Sequence, residues 1–79
     1  MSRKAKSEEP AVANRVEEIR SAQSITRQDL AQQVGVHYQT IGYIERGEYS
    51  PSLVLALQIS RALSKPVEQL FWLDLEENK

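Results

Sequence analysis

Apolar residues recur at helical spacing along most of this chain and predict five short helices. The first helix is predicted from about Pro10 to Ala22, because Val12, Val16 and Ile19 fall on one face. No alternation typical of a strand precedes residue 71, and no internal repeat is present. The pattern therefore predicts an all-α protein in which short helices pack around one core.

The second and third predicted helices are separated by a Gly-Val turn. In the second helix, Thr26 followed by Asp29 resembles a capping box, and Gly35 ends the helix. The third helix is predicted from Val36 to Arg46, where Gly47 follows. Its apolar face is supplied by Ile41 and Ile44. Two short helices joined in this way are typical of a helix-turn-helix.

The fourth predicted helix is apolar nearly all round, and this indicates a central buried helix. Ser52 is its predicted N-cap, it continues to about Leu63, and Val54 is expected to be a lone exposed apolar residue. Its apolar positions are Leu53, Leu55, Ala56, Leu57, Ile59, Ala62 and Leu63. Pro66 is predicted in the first turn of a fifth helix, VEQLF.

The outward face of the third helix carries residues that a solvated helix rarely uses. They are His37, Tyr38, Gln39, Gly42 and Tyr43. A solvated face usually takes Glu and Lys, because these residues favour helix and keep the chain soluble. Aromatic rings, an amide and a glycine therefore indicate a face that contacts a partner.

Composition limits the possible classes of protein. With 79 residues, 41% hydrophobic and 27% charged, the chain is expected to be one soluble globular domain. It has no cysteine, which excludes disulfides and thiolate metal sites, and no apolar run near the roughly 20 residues that span a bilayer. MSRKAKSEEP lacks the apolar stretch of a secretory signal, so a cytoplasmic protein is expected.

The distribution of charge favours a polyanionic partner weakly, although the net charge is −1. Residues 66–79 contain four acidic side chains against one basic, which leaves residues 1–65 with nine basic and seven acidic. No enzyme, metal or cofactor is predicted. The one histidine lies on an exposed helix, and GYIERGEY lacks the Lys-Ser/Thr of a phosphate loop.

From about Asn14 to Phe71 the chain resembles the XRE family, the helix-turn-helix domain shared by Cro and the lambdoid phage repressors. The matching stretches are DLAQQVGV, QTIGYIERGEYSPS and ALQISRALSKPVEQLF. The resemblance implies a five-helix, lambda-repressor-like domain whose third helix enters the major groove of DNA. It departs from the family at His37 and Tyr38, where Ser and a basic residue are common, so His37 is expected to be a poorer cap.

The resemblance also assigns roles to single residues. The base-reading positions fall on Tyr38, Gln39 and Tyr43, although either tyrosine has the alternative of packing against a neighbour. The resemblance pairs Arg20 with Glu45 as a partly buried structural ion pair. The positions expected to contact the DNA backbone are Arg27, Gln28, Thr40 and Arg46.

Three segments are predicted: a disordered arm over 1–9, the DNA-binding domain over 10–71, and a dimerisation extension with an acidic tail over 72–79. Alternation along residues 71–75 predicts a strand that pairs across a two-fold axis. The dimer residues are predicted to be Trp72, Leu73 and Leu75, and the alternative is that Trp72 packs on its own domain.

Two functions remain open. The first is a sequence-specific regulator, a repressor, that binds a near-palindromic site on double-stranded DNA as a homodimer. The second is a protein-interaction module such as the antitoxin of a toxin pair. In the first, the basic residues Arg3, Lys4 and Lys6 add at most a minor contact with DNA. No membrane or small-molecule partner is expected.

Overall fold

Five helices form the body of the protein, and a two-stranded sheet joins its ends. The structure, a computed structural model, describes residues 11–75. Its elements, in chain order, are β1 Ala11–Asn14, α1 Val16–Ala22, α2 Arg27–Val34, α3 Tyr38–Glu45, α4 Leu53–Leu63, α5 Val67–Leu70 and β2 Phe71–Asp74. The predicted five-helix fold is confirmed. The arm expected over 1–9 and the tail over 76–79 lie outside the described residues.

The helix ends follow the local signals in the sequence. Thr26 and Asp29 form a reciprocal capping box at the start of α2, and the Ser52 hydroxyl accepts a hydrogen bond from Leu55 N–H at 3.1 Å. Gly35 ends α2 with φ +78°, a conformation that a side chain would strain. Of these features, Gly35 lies at the turn through which α2 passes into α3.

The first helix starts later than predicted, because residues Ala11–Asn14 form a strand. This strand pairs antiparallel with β2 of the same chain, with Val12 opposite Leu73 and Ala13 opposite Trp72. The spacing of Val12 from Val16 fits a helix, but pairing with a distant segment determines the local structure instead. The strand predicted near residue 71 is therefore present, and its partner in the structure is β1 of the same chain, not a strand of a second chain.

The fourth helix, α4, is only half buried, so the prediction of a central buried helix is wrong. Leu53, Val54 and Leu57 are exposed at 71%, 66% and 50%, while Ile59 and Leu63 are fully buried. One face of a helix can pack against the core, and α4 carries apolar residues on more than that face. Val54 is thus not a lone exposed residue but part of an apolar patch with Leu53 and Leu57.

Every helix contributes at least one buried apolar residue to the core. Leu70 of α5 is fully buried in the core, and Phe71 packs against it at the start of β2. The buried cluster is Val16, Leu30, Ala31, Val34, Ile41, Ile44, Leu55, Ile59, Leu63 and Leu70. Because Ile41 and Ile44 are held in this cluster, the opposite face of α3 points away from the protein.

Asn14 connects the sheet to the end of α3, a link that the sequence did not indicate. Its side-chain Nδ2 donates to the carbonyl of Ile44 at 3.0 Å, and its Oδ1 accepts from the N–H of Val16 at 3.0 Å. One amide thus satisfies a free N–H at the start of α1 and adds a second hydrogen bond to a carbonyl at the end of α3, which also accepts from the N–H of Gly47 at 3.0 Å. It fixes α3 relative to the first helix.

Asn14→Ala is expected to lower the free energy of unfolding by about 1–2 kcal/mol, because the N–H of Val16 at the start of α1 loses its partner and the hydrogen bond that links Asn14 to the end of α3 is removed. Chemical denaturation measures this change. Gln32→Ala is the control, since Gln32 is an exposed amide that makes no side-chain hydrogen bond within residues 11–75. Equal stability of the two variants would show that the Asn14 bridge contributes nothing.

Candidate DNA interface

The outward face of α3 presents an amide between two aromatic rings. Gln39 is exposed, and Tyr38 and Tyr43 are 44% and 45% exposed, so all three can contact a partner without a change in the core. A glutamine amide both donates and accepts, which matches the N7 and N6 edge of adenine. Tyrosine hydroxyls can bond to bases or phosphates.

The predicted base-reading residues and two arginines line one cleft, about 160 Å³ in volume. Its lining is Arg27, Tyr38, Gln39, Gly42, Tyr43 and Arg46. Gln28 lies instead in a neighbouring cleft that Arg27 and Tyr38 also line, and half-buried Thr40 lines neither. The fold therefore brings together five of the seven residues expected to touch DNA.

His37 caps α3, although a poorer cap was expected at this position. Its Nδ1 accepts a hydrogen bond from the backbone N–H of Gln39 at 3.2 Å. The same imidazole ring stacks on Tyr38, with ring centroids 5.0 Å apart and planes inclined by 27°. A neutral imidazole with its proton on Nε2 fits this bond, because Nδ1 must then accept. His37 thus fixes both the first turn of α3 and the ring of Tyr38.

Glu45 is shared by two arginines rather than one. Its Oε2 accepts from Arg20 Nε at 2.8 Å, and its Oε1 accepts from Arg20 Nη2 at 3.2 Å and from Arg27 Nε at 2.8 Å. The Glu45 side chain is 1% exposed, and the side chain of Arg20 is 10% exposed. Arg20 Nη1 also donates to the carbonyl of Ile25 at 3.0 Å.

Arg27 was expected only as a DNA contact, so its bond to Glu45 is new. Its side chain is 40% exposed and extends from the first residue of α2 across to the last residue of α3. The hydrogen bond to Glu45, and then the attraction of that carboxylate, raise the pKa of Arg27 above its ordinary value. Local spacing could not reveal this contact, because the two residues lie on different helices.

Gly42 provides space for the side chain of Arg46. A Cβ at Gly42 would lie 3.2 Å from Arg46 Nη1, a tight contact, and Gly42 itself is buried under this guanidinium. Arg46 also lies over the ring of Tyr43 at 5.3 Å and contacts exposed Glu48 at 3.3 Å. The outward position of Gly42 is therefore covered by the protein's own Arg46, although the sequence indicated contact with a partner on this face.

The predicted dimer residues are exposed at the edge of the sheet. Trp72, Leu73 and Leu75 are exposed by 40%, 55% and 59%. Trp72 also contacts its own domain, because the Arg15 guanidinium lies 5.1 Å from the ring centre. Within the described part of the chain there is no helix long and apolar enough to cross a membrane and no metal-binding group of His, Cys, Asp or Glu.

The fold and this face define a helix-turn-helix protein, and comparison with known proteins identifies its family. The sequence model described as Helix-turn-helix matches residues 16–70. The chain is 46% identical over 65 residues to the HTH-type transcriptional regulator YgzD of Bacillus subtilis (strain 168), covering 82% of this chain and 97% of YgzD. It is 43% identical over 63 residues to an HTH-type transcriptional regulator of Archaeoglobus fulgidus, covering 80% and 90% of the two chains.

Solved structures show the same fold. The crystal structure of the restriction-modification controller protein C.AhdI from Aeromonas hydrophila superposes with a TM-score of 0.65 at 30% identity, covering 68% of this chain and 82% of that one. The chain belongs to the XRE family of helix-turn-helix proteins, as the sequence resemblance predicted. This is a family of DNA-binding transcriptional regulators and not an enzyme class.

Proposed function

We propose that this protein is a sequence-specific repressor that binds a near-palindromic DNA site as a homodimer. The observation that carries the proposal is the cleft between α2 and α3, which Gln39 and two tyrosines line together with Arg27 and Arg46. Guanidinium groups bind phosphates and give affinity, while side chains between them contact base edges. The site of action is the cytoplasm, because the proposed partner is DNA.

In this proposal the residues keep the roles expected from sequence. Tyr38, Gln39 and Tyr43 read bases in the major groove. Two α3 helices of a dimer lie about one DNA turn apart, roughly 34 Å, and contact the two halves of the site. The residues that bind the DNA backbone are Arg27, Gln28, Thr40 and Arg46.

Selection of bound sequences from random duplex DNA tests sequence recognition. A repeated half-site in two-fold arrangement is expected, and the affinity for it should fall steeply with added salt. Recovery of a random pool, with the protein folded by circular dichroism, would contradict the proposal and favour a protein-interaction module such as an antitoxin. Reporter expression with and without the protein then distinguishes a repressor from an activator.

The homodimer is expected to form through the extension, with Trp72, Leu73 and Leu75 at the contact. These side chains are apolar and exposed, and among residues 11–75 β2 pairs only with β1, which leaves its other edge for a second chain. Leu73→Glu should therefore give a folded monomer, and sedimentation at micromolar concentration measures its mass.

The matched control is Leu57→Glu, which places the same charge on the exposed apolar patch of α4. A dimer is expected for this variant because its patch lies on a different element. If Leu73→Glu is a dimer and Leu57→Glu is a monomer, the dimer interface lies on α4 and not on the extension. A monomeric wild-type protein would contradict the homodimer altogether and favour a separate protein partner for the exposed apolar residues.

A further inference from the structure

Glu45 holds two arginines whose situations differ. Arg20 is buried and uses three of its N–H groups within the protein, on Glu45 and on the carbonyl of Ile25. Arg27 uses only Nε, on Glu45 Oε1 at 2.8 Å, and no hydrogen bond from its two terminal nitrogens is present within residues 11–75. The inner edge of this guanidinium is fixed by Glu45, and its terminal N–H groups remain available.

The three side chains together carry one excess positive charge, because one carboxylate faces two guanidinium groups. Arg20 and the carboxylate are buried, whereas 40% of the Arg27 side chain is exposed at the cleft that Gln39 and Tyr43 line. The excess positive charge is therefore exposed at Arg27, where a molecule bound to α3 can contact it. A phosphodiester group carries a single negative charge and accepts two parallel N–H bonds from a guanidinium, so it matches this group in charge and geometry.

We propose that Glu45 is a positioning residue for DNA binding: it fixes the Arg27 guanidinium so that the terminal N–H groups bind one backbone phosphate beside the base-reading face. This role rests on the proposed function and adds to the structural pairing of Glu45 with Arg20. Glu45 already restricts the conformational freedom of the Arg27 side chain in the free protein. Less side-chain entropy is therefore lost when DNA binds, and this preorganisation strengthens binding.

The direction in which DNA affinity changes when the Glu45 charge is removed distinguishes a positioning role from a purely electrostatic one. Removing the negative charge of Glu45 near a phosphate should strengthen DNA binding if only long-range electrostatics matters. Removing it should weaken binding if the carboxylate fixes the orientation of Arg27. Glu45→Gln keeps the shape and removes the charge, so the two explanations predict opposite changes in affinity.

The experiment measures binding of a labelled mixed-sequence DNA duplex over a series of salt concentrations, with full-length protein variants whose fold is checked by circular dichroism. Glu45→Gln is expected to bind several-fold more weakly than wild type. Arg27→Lys is expected to bind several-fold more weakly with the salt dependence unchanged, because lysine keeps the charge but lacks the rigid planar fork in which Nε binds the carboxylate while the terminal nitrogens are held toward the phosphate. Arg27→Ala should reduce the slope of log affinity against log salt by about 0.9.

The double variant Glu45→Gln/Arg27→Lys should bind DNA no more weakly than Glu45→Gln alone. Glu45→Gln has already removed the fixed orientation of the Arg27 guanidinium, so replacing Arg27 by lysine has no orientation left to remove. A purely structural role for Glu45 would leave the effect of Arg27→Lys unchanged in both backgrounds. Arg61→Lys is the matched control, since Arg61 is exposed on α4 outside the cleft.

Tighter or unchanged binding by folded Glu45→Gln would overturn the proposal. If Glu45→Gln does not fold, the DNA affinity of Arg27→Lys is the test. An affinity equal to that of the wild-type protein would overturn the proposal. Absence of duplex binding by the wild-type protein at low salt would instead contradict the proposed function. The two failures are thereby distinguished.

Discussion

Glu45→Ala is expected to lower the free energy of unfolding by about 3–5 kcal/mol, because it leaves a buried guanidinium without its counter-charge. Arg20 is 8% exposed, so water can replace little of the interaction that its guanidinium makes with Glu45. Thermal or chemical denaturation followed by circular dichroism measures the loss.

Arg20→Ala should cost less than Glu45→Ala, and this asymmetry is the sharper test. The carboxylate of Glu45 keeps a charged partner when Arg20 is removed, since Arg27 Nε still donates to it. The matched control is Arg46→Ala, which removes an arginine whose ion pair with Glu48 is exposed and therefore contributes little to stability. Glu45→Ala with wild-type stability would refute the structural role of the carboxylate.

Gln39→Ala is expected to weaken binding to the selected DNA site by about 1–3 kcal/mol and to relax the preference at one base pair in each half-site. Gln39 is exposed on α3 and lines the same cleft as Arg27 and Arg46. Its backbone N–H is already bonded to His37, so the side-chain amide is free to contact a base without uncapping the helix. Repeated sequence selection and titration with the folded variant measure both effects.

Arg46→Ala provides the contrast, because a phosphate contact carries no sequence information. It should weaken specific and mixed-sequence DNA alike and reduce the salt dependence. Gln33→Ala is the control, since that exposed amide lies in a groove against α4 and away from the cleft. An unchanged selected sequence with Gln39→Ala would transfer base reading to Tyr38 or Tyr43.

Features set by neighbouring residues were predictable from this sequence. The capping box at Thr26 and the left-handed Gly35 depend on contacts within one helical turn, and both are present in the structure. The outward placement of Gln39 followed from the apolar spacing of Ile41 and Ile44.

Features set by distant contacts were not predictable in the same way. β1 is a strand because it pairs with β2, and Val12 alone fits a helix equally well. The apolar positions of α4 do not reveal which of its faces the other helices cover. Arg27 binds Glu45 across two helices, and the pairing of Arg20 with Glu45 was suggested only by family resemblance. Tertiary geometry decides each of these cases.

The pairing of β1 with β2 has a consequence for how the chain folds. Ala11 lies opposite Asp74, so this contact closes nearly the whole described chain into one loop. The entropic cost of closing so long a loop is met most easily after the helices have already brought the ends together. The sheet is therefore expected to form late. The hydrogen bond from Asn14 to the end of α3 should then be among the last contacts to form during folding.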